Sequence, residues 1–258
     1  MSRTASAASQ AIVFLNPGDP PESFPDLTRG TTGPDGLIAV GGDLTPSRLL
    51  AAYGRGIFPW YEEGQPVLWW SPDPRAVLLP EKLHISRTLR RTLLGNRFQV
   101  SMDLAFGSVM AACADTRAAT GTWITPEMRR AYLDLHSLGY AHSIEIWRGS
   151  DLAGGLYGIA LGDVFFGESM FSRAADASKV ALVKLARVAD DQGITLIDCQ
   201  VATRHLTTLG SHLMPRDEFL RQIQTLSVAA GRVGAWRAEA RPTRSLIRTP
   251  KAPAPLHG

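Results

Sequence analysis

Residues 141–172 read AHSIEIWRGSDLAGGLYGIALGDVFFGESMFS. The stretch divides into AHSIEIWRG, DLAGGLYGIALG and DVFFGESMFS, each with apolar and aromatic residues and each joined to the next through glycine. Apolar runs bounded by glycine turns predict three consecutive strands. Helical patterns flank them. Upstream, ITPEMRRAYLDLHSLG carries Thr125 as a cap, Pro126 at the first helical position and an early Glu127. Downstream, ADASKVALVKLARVADDQG is a long amphipathic pattern ending at Gly193, and MPRDEFLRQIQTL is a shorter one. Helix, antiparallel strands, helix and a further strand predict an α+β or mixed α/β layer domain over residues 97–236.

The rest of the chain is read around that domain. Residues 23–96, rich in Pro, Gly and Trp, read as a small N-terminal α+β domain. Within it, DLTPSRLLAAYGRG predicts a helix capped by Thr45, and HISRTLRRTLLGN a helix opened by Ser86 and closed near Gly95. DLAFGSVMAACAD predicts another from Asp103. Residues 1–22 are expected to be a flexible N-terminus and residues 237–258 a basic, proline-rich mobile tail.

The 258 residues are 45% hydrophobic and 20% charged, an ordinary globular balance. A formal charge of +3 is only mildly basic, so a nucleic-acid partner requires basic residues gathered on one face. The two cysteines, Cys113 and Cys199, lie far apart with no CxxC pair, which suits a reducing compartment. MSRTASAASQ has no apolar core of signal-peptide length, and no membrane-length apolar run occurs, so a soluble cytoplasmic protein is expected.

GITLIDCQVAT, residues 193–203, poses the chemical question. It reads as a buried strand, on which Asp198 and Gln200 project from one face while Ile197, Cys199 and Val201 take the other. A carboxylate in apolar surroundings is costly unless paired or hydrogen-bonded. FFGESMFSRAADASK similarly sets Glu168 among apolar and small residues, which suits a buried acid with a hydrogen-bonding task.

Other motifs give way to plainer readings. GLIAVGGDL lacks phosphate-loop spacing and reads as a turn entering a helix. His205 and His212 with Asp198 lack metal-site spacing, no GxSxG elbow exists, and Cys199 points away from Asp198. Trp60, Trp69, Trp70 and Trp123 are four of the six tryptophans; each is either core or a platform for stacking a base. Arg87, Arg90 and Arg91, with Lys82 just before, form either a solvated face or a phosphate-contacting patch.

GRGIFPWY, LWWSPDPRAVL, HISRTLRR, GTWIT, GLYGIALGDVFFGESMFSRAADASK and LIDCQVATRHLTTLGSHLMPR together resemble the bacterial leucyl/phenylalanyl-tRNA–protein transferases. The resemblance runs from about Phe24 to Phe219, with FFGESMFS and IDCQ its most specific combination. It implies transfer of Leu or Phe, less well Met, from charged tRNA to the N-terminal α-amine of proteins beginning with Arg or Lys. The product is an N-end rule degradation signal. It also implies that the larger domain is N-acetyltransferase-like, with no cofactor and no metal. Position by position, Asp198 and Gln200 match the catalytic pair. Trp60, Trp123, Phe165, Glu168, Ser169, Met170, Leu182 and Ile197 match the aminoacyl and adenosine pocket, and Arg87 and Arg91 match tRNA-binding positions, with Arg90 beside them. Leu185 stands where well-known members have phenylalanine. Asp198 is expected to take the amine's proton or hold the ammonium, Gln200 to orient the reactants, and Glu168 to orient the donor rather than transfer protons. Three rival readings are an acyl-CoA-dependent N-acyltransferase, which lacks its Gly-rich pyrophosphate loop here, a non-catalytic tRNA-binding protein, and a related transferase preferring acidic N-termini, against which FFGESMFS and IDCQ stand.

Overall fold

The computed structural model describes residues 11–27, 36–116, 121–227, 233–234 and 236–247. A first unit holds β1 (Val13–Leu15), β2 (Leu37–Gly41), α1 (Pro46–Tyr53), β3 (Phe58–Pro59) and β4 (Leu68–Trp70). Its strands form a four-stranded sheet in the order β1-β2-β4-β3. The larger unit begins with β5 (Arg75–Leu78), α2 (Arg87–Leu94), β6 (Gln99–Met102), α3 (Phe106–Asp115) and α4 (Pro126–Ser137). The three strands expected from 141–172 follow as β7 (Ala141–Arg148), β8 (Asp151–Leu161) and β9 (Val164–Ser172). Then come α5 (Ala177–Gln192), β10 (Leu196–Gln200), α6 (Arg204–Thr208), β11 (His212–Met214), α7 (Arg216–Leu226) and β12 (Ala238–Pro242). These strands make an eight-stranded mixed sheet in the order β11-β5-β10-β9-β8-β7-β6-β12.

Alternation along the central strands builds two layers of core. Phe165 and Ile197 face the side covered by α5, while Phe166 and Leu196 face the side shared with the first sheet, α3 and α4. β9 and β10 run parallel, pairing through Leu196–Val164, Ile197–Phe165 and Asp198–Phe166. Past that point the pairing ends and the two strands separate.

Several sequence boundaries move. Strand β5 leaves the small domain to pair with β10 and β11, so the division falls near residue 74 rather than 96. Strand β1 pairs with β2, which corrects the flexible span of 1–22 over Val13–Leu15. Strand β12 pairs with β6, and the 3-10 turn after it buries Thr243 and Leu246, so the mobile tail does not begin at 237. Residues 248–258 of that tail lie outside the described residues. Two caps also differ. Thr45 makes no cap bond; its hydroxyl donates to Asp43 instead. Asp103 does not cap α3; at φ 53° it accepts the backbone N–H groups of Ser143 and Trp236 and bonds His142. Ser86 and Thr125 cap their helices as read.

Gly158 illustrates how tightly β8 and β9 meet. A Cβ there would lie 2.2 Å from the Phe166 carbonyl and 2.6 Å from the Phe165 ring. Overpacking of this kind costs ~1–3 kcal/mol. Gly158→Ala is therefore expected to lower Tm by roughly 2–12 °C in a thermal melt, at ~2–4 °C per kcal/mol for a chain of this size.

Candidate functional site: a wedge between two strands

A chamber of about 650 Å3 opens where β9 and β10 part, a volume typical of small-molecule sites. Leu156, Phe165, Met170, Leu182, Leu185 and Ile197 line it from the α5 side of the sheet, giving it an apolar body. Trp60 and Trp123 also line it, Trp60 with half its surface exposed. The aromatic cluster thus divides by role. Trp69 is core, donating to the Gly41 carbonyl, and Trp70 braces Trp60 by donating to its carbonyl. Every pocket residue expected from the sequence meets here, and Leu185 joins them. Arg87, Arg90 and Arg91 do not; they stand exposed on α2, outside the chamber.

The polar end is set by two interruptions in the ladders. On β9, Ser169 pairs with Tyr157 and Gly167 with Gly158, so Glu168 is the extra residue of a bulge. On β10, Asp198 pairs with Val77 and Gln200 with Ala76, so Cys199 is extra there. Bulges bend a strand and re-aim its side chains. Gln200 completes the turn at φ 61°, a left-handed conformation uncommon for a residue with a side chain. Its amide Nε2 donates to Glu168 Oε1 at 2.9 Å.

Asp198 and Gln200 both line the chamber, but the extra Cys199 between them breaks the simple alternation. Asp198 is fully buried, accepting from Arg75 Nε at 2.8 Å and Nη2 at 2.6 Å. Its Oδ1 also accepts the backbone N–H of Gln200 at 2.8 Å. The Arg75 guanidinium lies between the Phe58 and Phe219 rings, 4.8 and 4.7 Å from their centroids, and donates to the Gly56 carbonyl. Both carboxylate oxygens are engaged, and Oδ1 anchors the Gln200 backbone.

Glu168, also buried, is a second acid lining the chamber. The Tyr53 hydroxyl lies 2.7 Å from its Oε1 and the Tyr132 hydroxyl 2.7 Å from its Oε2, and the two phenols are in hydrogen-bond contact with each other. Burial, with the Asp198 charge adding to it, pushes its carboxyl from 4.5 up to about 7 against the pull of these donors. Burial and the charge of Glu168 hold both phenols well above the ordinary tyrosine range. Cys199 sits on the opposite side of β10 from Asp198, packed with the α5-side core, and its thiol is pushed far up by burial. That makes it a poor nucleophile.

Arg75, Tyr53 and Tyr132 were not legible as site residues. Arg75 follows two prolines and reads as a turn residue, and the tyrosines sit among apolar residues of their helices. Among the described residues no group of three or more His, Cys, Asp or Glu side chains could hold a metal ion, and no helix is long and apolar enough to cross a membrane.

An apolar chamber ending in a buried acid and an amide suits a group-transfer site, and comparison defines the class as an aminoacyltransferase. The leucyl/phenylalanyl-tRNA protein transferase model matches residues 77–224, and the model for that family's N-terminal domain matches residues 42–73. The chain belongs to the leucyl/phenylalanyl-tRNA protein transferase family. The two matches part where the sheets do. The chain is similar to the leucyl/phenylalanyl-tRNA–protein transferase of Aromatoleum aromaticum, 57% identical over 84% of this chain and 92% of that one. It is likewise similar to that of Azotobacter vinelandii, 57% identical over 76% of this chain and 88% of the other. Among solved structures, L-PGS from Bacillus licheniformis gives a TM-score of 0.35 at 9% identity, covering 64% of this chain and 53% of that one. A likeness this faint carries no argument.

The raised Glu168 carboxyl makes a signed prediction. Between pH 4.5 and about 7 the folded protein keeps a proton that the unfolded chain releases. Stability therefore falls as pH rises across that window, by on the order of 3 kcal/mol at ~1.4 kcal/mol per unit, and levels off above it. Glu168→Gln should lack this slope. Urea unfolding of both proteins from pH 5 to 8 reads it; parallel stability curves would count against a neutral Glu168.

Proposed function

We propose that the protein transfers leucine or phenylalanine, and less well methionine, from charged tRNA to the N-terminal α-amine of proteins beginning with Arg or Lys. The product carries an N-end rule degradation signal. The observation that carries this reading is the chamber itself: an apolar slot ending at an acid and an amide, in a chain of this family. The parting of two parallel strands around it supports an N-acetyltransferase-like reading of the larger unit. The reaction belongs in the cytoplasm, where charged tRNA is made. It calls for no metal and no nucleotide cofactor, because the donor ester already holds the free energy for the new amide bond.

Three tasks remain for the protein: to hold the amine over the ester carbonyl, to manage its protons, and to steady the tetrahedral oxyanion. An α-amine has a pKa of about 7.7–8.0, so much of it is protonated near neutrality. Asp198 and Gln200 act as a unit in our reading. Asp198 fixes the Gln200 backbone, and the Gln200 side chain orients the reactants at the chamber. Positioning of this kind supplies several kcal/mol of rate enhancement.

The slot selects the donor. Met170, Leu182 and Ile197 give it walls, and methionine adapts to more than one shape. Trp60 and Trp123 are suited to stack the terminal adenine of the tRNA. Arg87, Arg90 and Arg91, exposed on one helix, are suited to hold phosphates, which gives affinity with little preference for the tRNA body.

The test is incubation with labelled leucyl-tRNA and peptides that differ only in their first residue. Label is expected on Arg- and Lys-starting peptides. Methionyl-tRNA should serve as a weaker donor, by the ~10–200-fold that an apolar slot can discriminate. Label only on acidic-starting peptides, or stabilisation by acetyl-CoA but not by an aminoacyl-adenosine analogue, would contradict the reading.

A further inference from the structure

We propose that Glu168 is the acid–base group of the transfer reaction, and that Tyr53 and Tyr132 are positioning residues that set where its proton lies. This deepens the function proposed above and rests on it. It also departs from the expectation that Glu168 merely orients the donor.

Three pairs of oxygens are in hydrogen-bond contact: Tyr53 with Tyr132, Tyr53 with Glu168 Oε1, and Tyr132 with Glu168 Oε2. Each contact needs one hydrogen, and each phenol owns one. With Glu168 ionised, both phenols donate to the carboxylate and their own oxygens face each other with no hydrogen between them. A carboxylic hydrogen on Glu168 closes the ring: acid to one phenol, that phenol to the other, and the second phenol back to the acid. The Gln200 amide cannot supply the missing hydrogen, because it is bonded to Oε1.

The surroundings favour the same state. Tyr53 arrives from α1, Tyr132 from α4 and Tyr157 from β8, none of them a cation. From β10, Asp198 adds a negative charge, while its Arg75 partner on β5 is turned to Asp198 itself. Behind the acid the two phenols are completely buried, whereas Glu168 lines the chamber with Gln200. A proton near its transition around neutrality, on a group facing the substrate site, suits acid–base work at cellular pH.

The step balances without another reactant. The acceptor nitrogen forms a bond to the ester carbonyl carbon, and the bond from that carbon to the ribose oxygen breaks. The carboxylic hydrogen of Glu168 passes to the departing ribose oxygen. A proton from the nitrogen passes to the carboxylate, and the acid is restored.

Glu168→Gln tests this, since glutamine keeps the length and neutrality of the acid but has no proton to transfer. With leucyl-tRNA and an Arg-starting peptide, kcat is expected to fall by about 10²–10⁴-fold while KM for charged tRNA changes little. Wild-type kcat should decline above about pH 7 as Glu168 ionises, and the variant's residual rate should lack that limb. Tyr53→Phe and Tyr132→Phe should each move the midpoint of the limb, because each deletes one member of the ring. A Glu168→Gln enzyme that keeps its kcat with a raised KM would mean that Glu168 binds donor, and the proposal would fall. So would a limb unmoved in both phenylalanine variants. If wild-type protein moves no leucine at all, the proposed function fails instead, whatever Glu168 does.

Discussion

The chamber depends on a buried ion pair at its polar end. Arg75 and Asp198 are both fully shielded from solvent, joined by two parallel hydrogen bonds in a geometry that suits the planar guanidinium. Desolvating two charges is expensive, and a pair like this is weak evidence for stability alone. Its value here is placement. One Asp198 oxygen holds the N–H of Gln200 just where the backbone takes a left-handed turn, and that turn brings the Gln200 amide to Glu168. Phe58 and Phe219 flank the guanidinium and tie the arrangement to the first sheet and to α7. A residue held in a sparsely populated conformation persists only when its surroundings over-determine it, and here they do.

Two neighbouring strands use the same device. β9 spends an extra residue at Glu168 and β10 at Cys199, just where their mutual pairing ends. The result is a wedge with one acid and one amide converging on it. The apolar body of the chamber comes from α5 and from the strand faces above it. Slot and polar end are thus anchored on regular elements rather than on long loops, which suits a site that must hold an ester and an amine in register.

Much of this was legible in the chain. The glycine-bounded run of 141–172 gave its three strands because each carries its own turn chemistry, and Ser86, Thr125 and Gly193 marked helix ends by local hydrogen bonding or backbone freedom. Those signals are short-range. The strand β5 was missed because its partners lie more than a hundred residues downstream, and nothing local says which sheet it joins. β12 was missed for a related reason: a basic, proline-containing segment lacks the apolar pattern of a strand, and its hold on β6 is tertiary. At the site, the identities of the pocket residues came from resemblance, whereas their geometry did not follow from alternation. Period-two reasoning fails at a bulge, and both polar residues that meet in the chamber sit at or beside one. Thr45 and Asp103 fail differently, since a short polar side chain that can cap a helix can equally bond elsewhere.

Arg75 governs the geometry of Gln200 through Asp198. Arg75→Lys keeps the charge but cannot make the paired bonds, so it probes placement rather than electrostatics. The direct measurement is the single-turnover rate of leucine transfer from charged tRNA by this variant, in protein whose circular dichroism shows it folded. The rate should drop sharply while binding of charged tRNA is kept. A rate equal to wild type would mean that the amide finds its place without the buried pair.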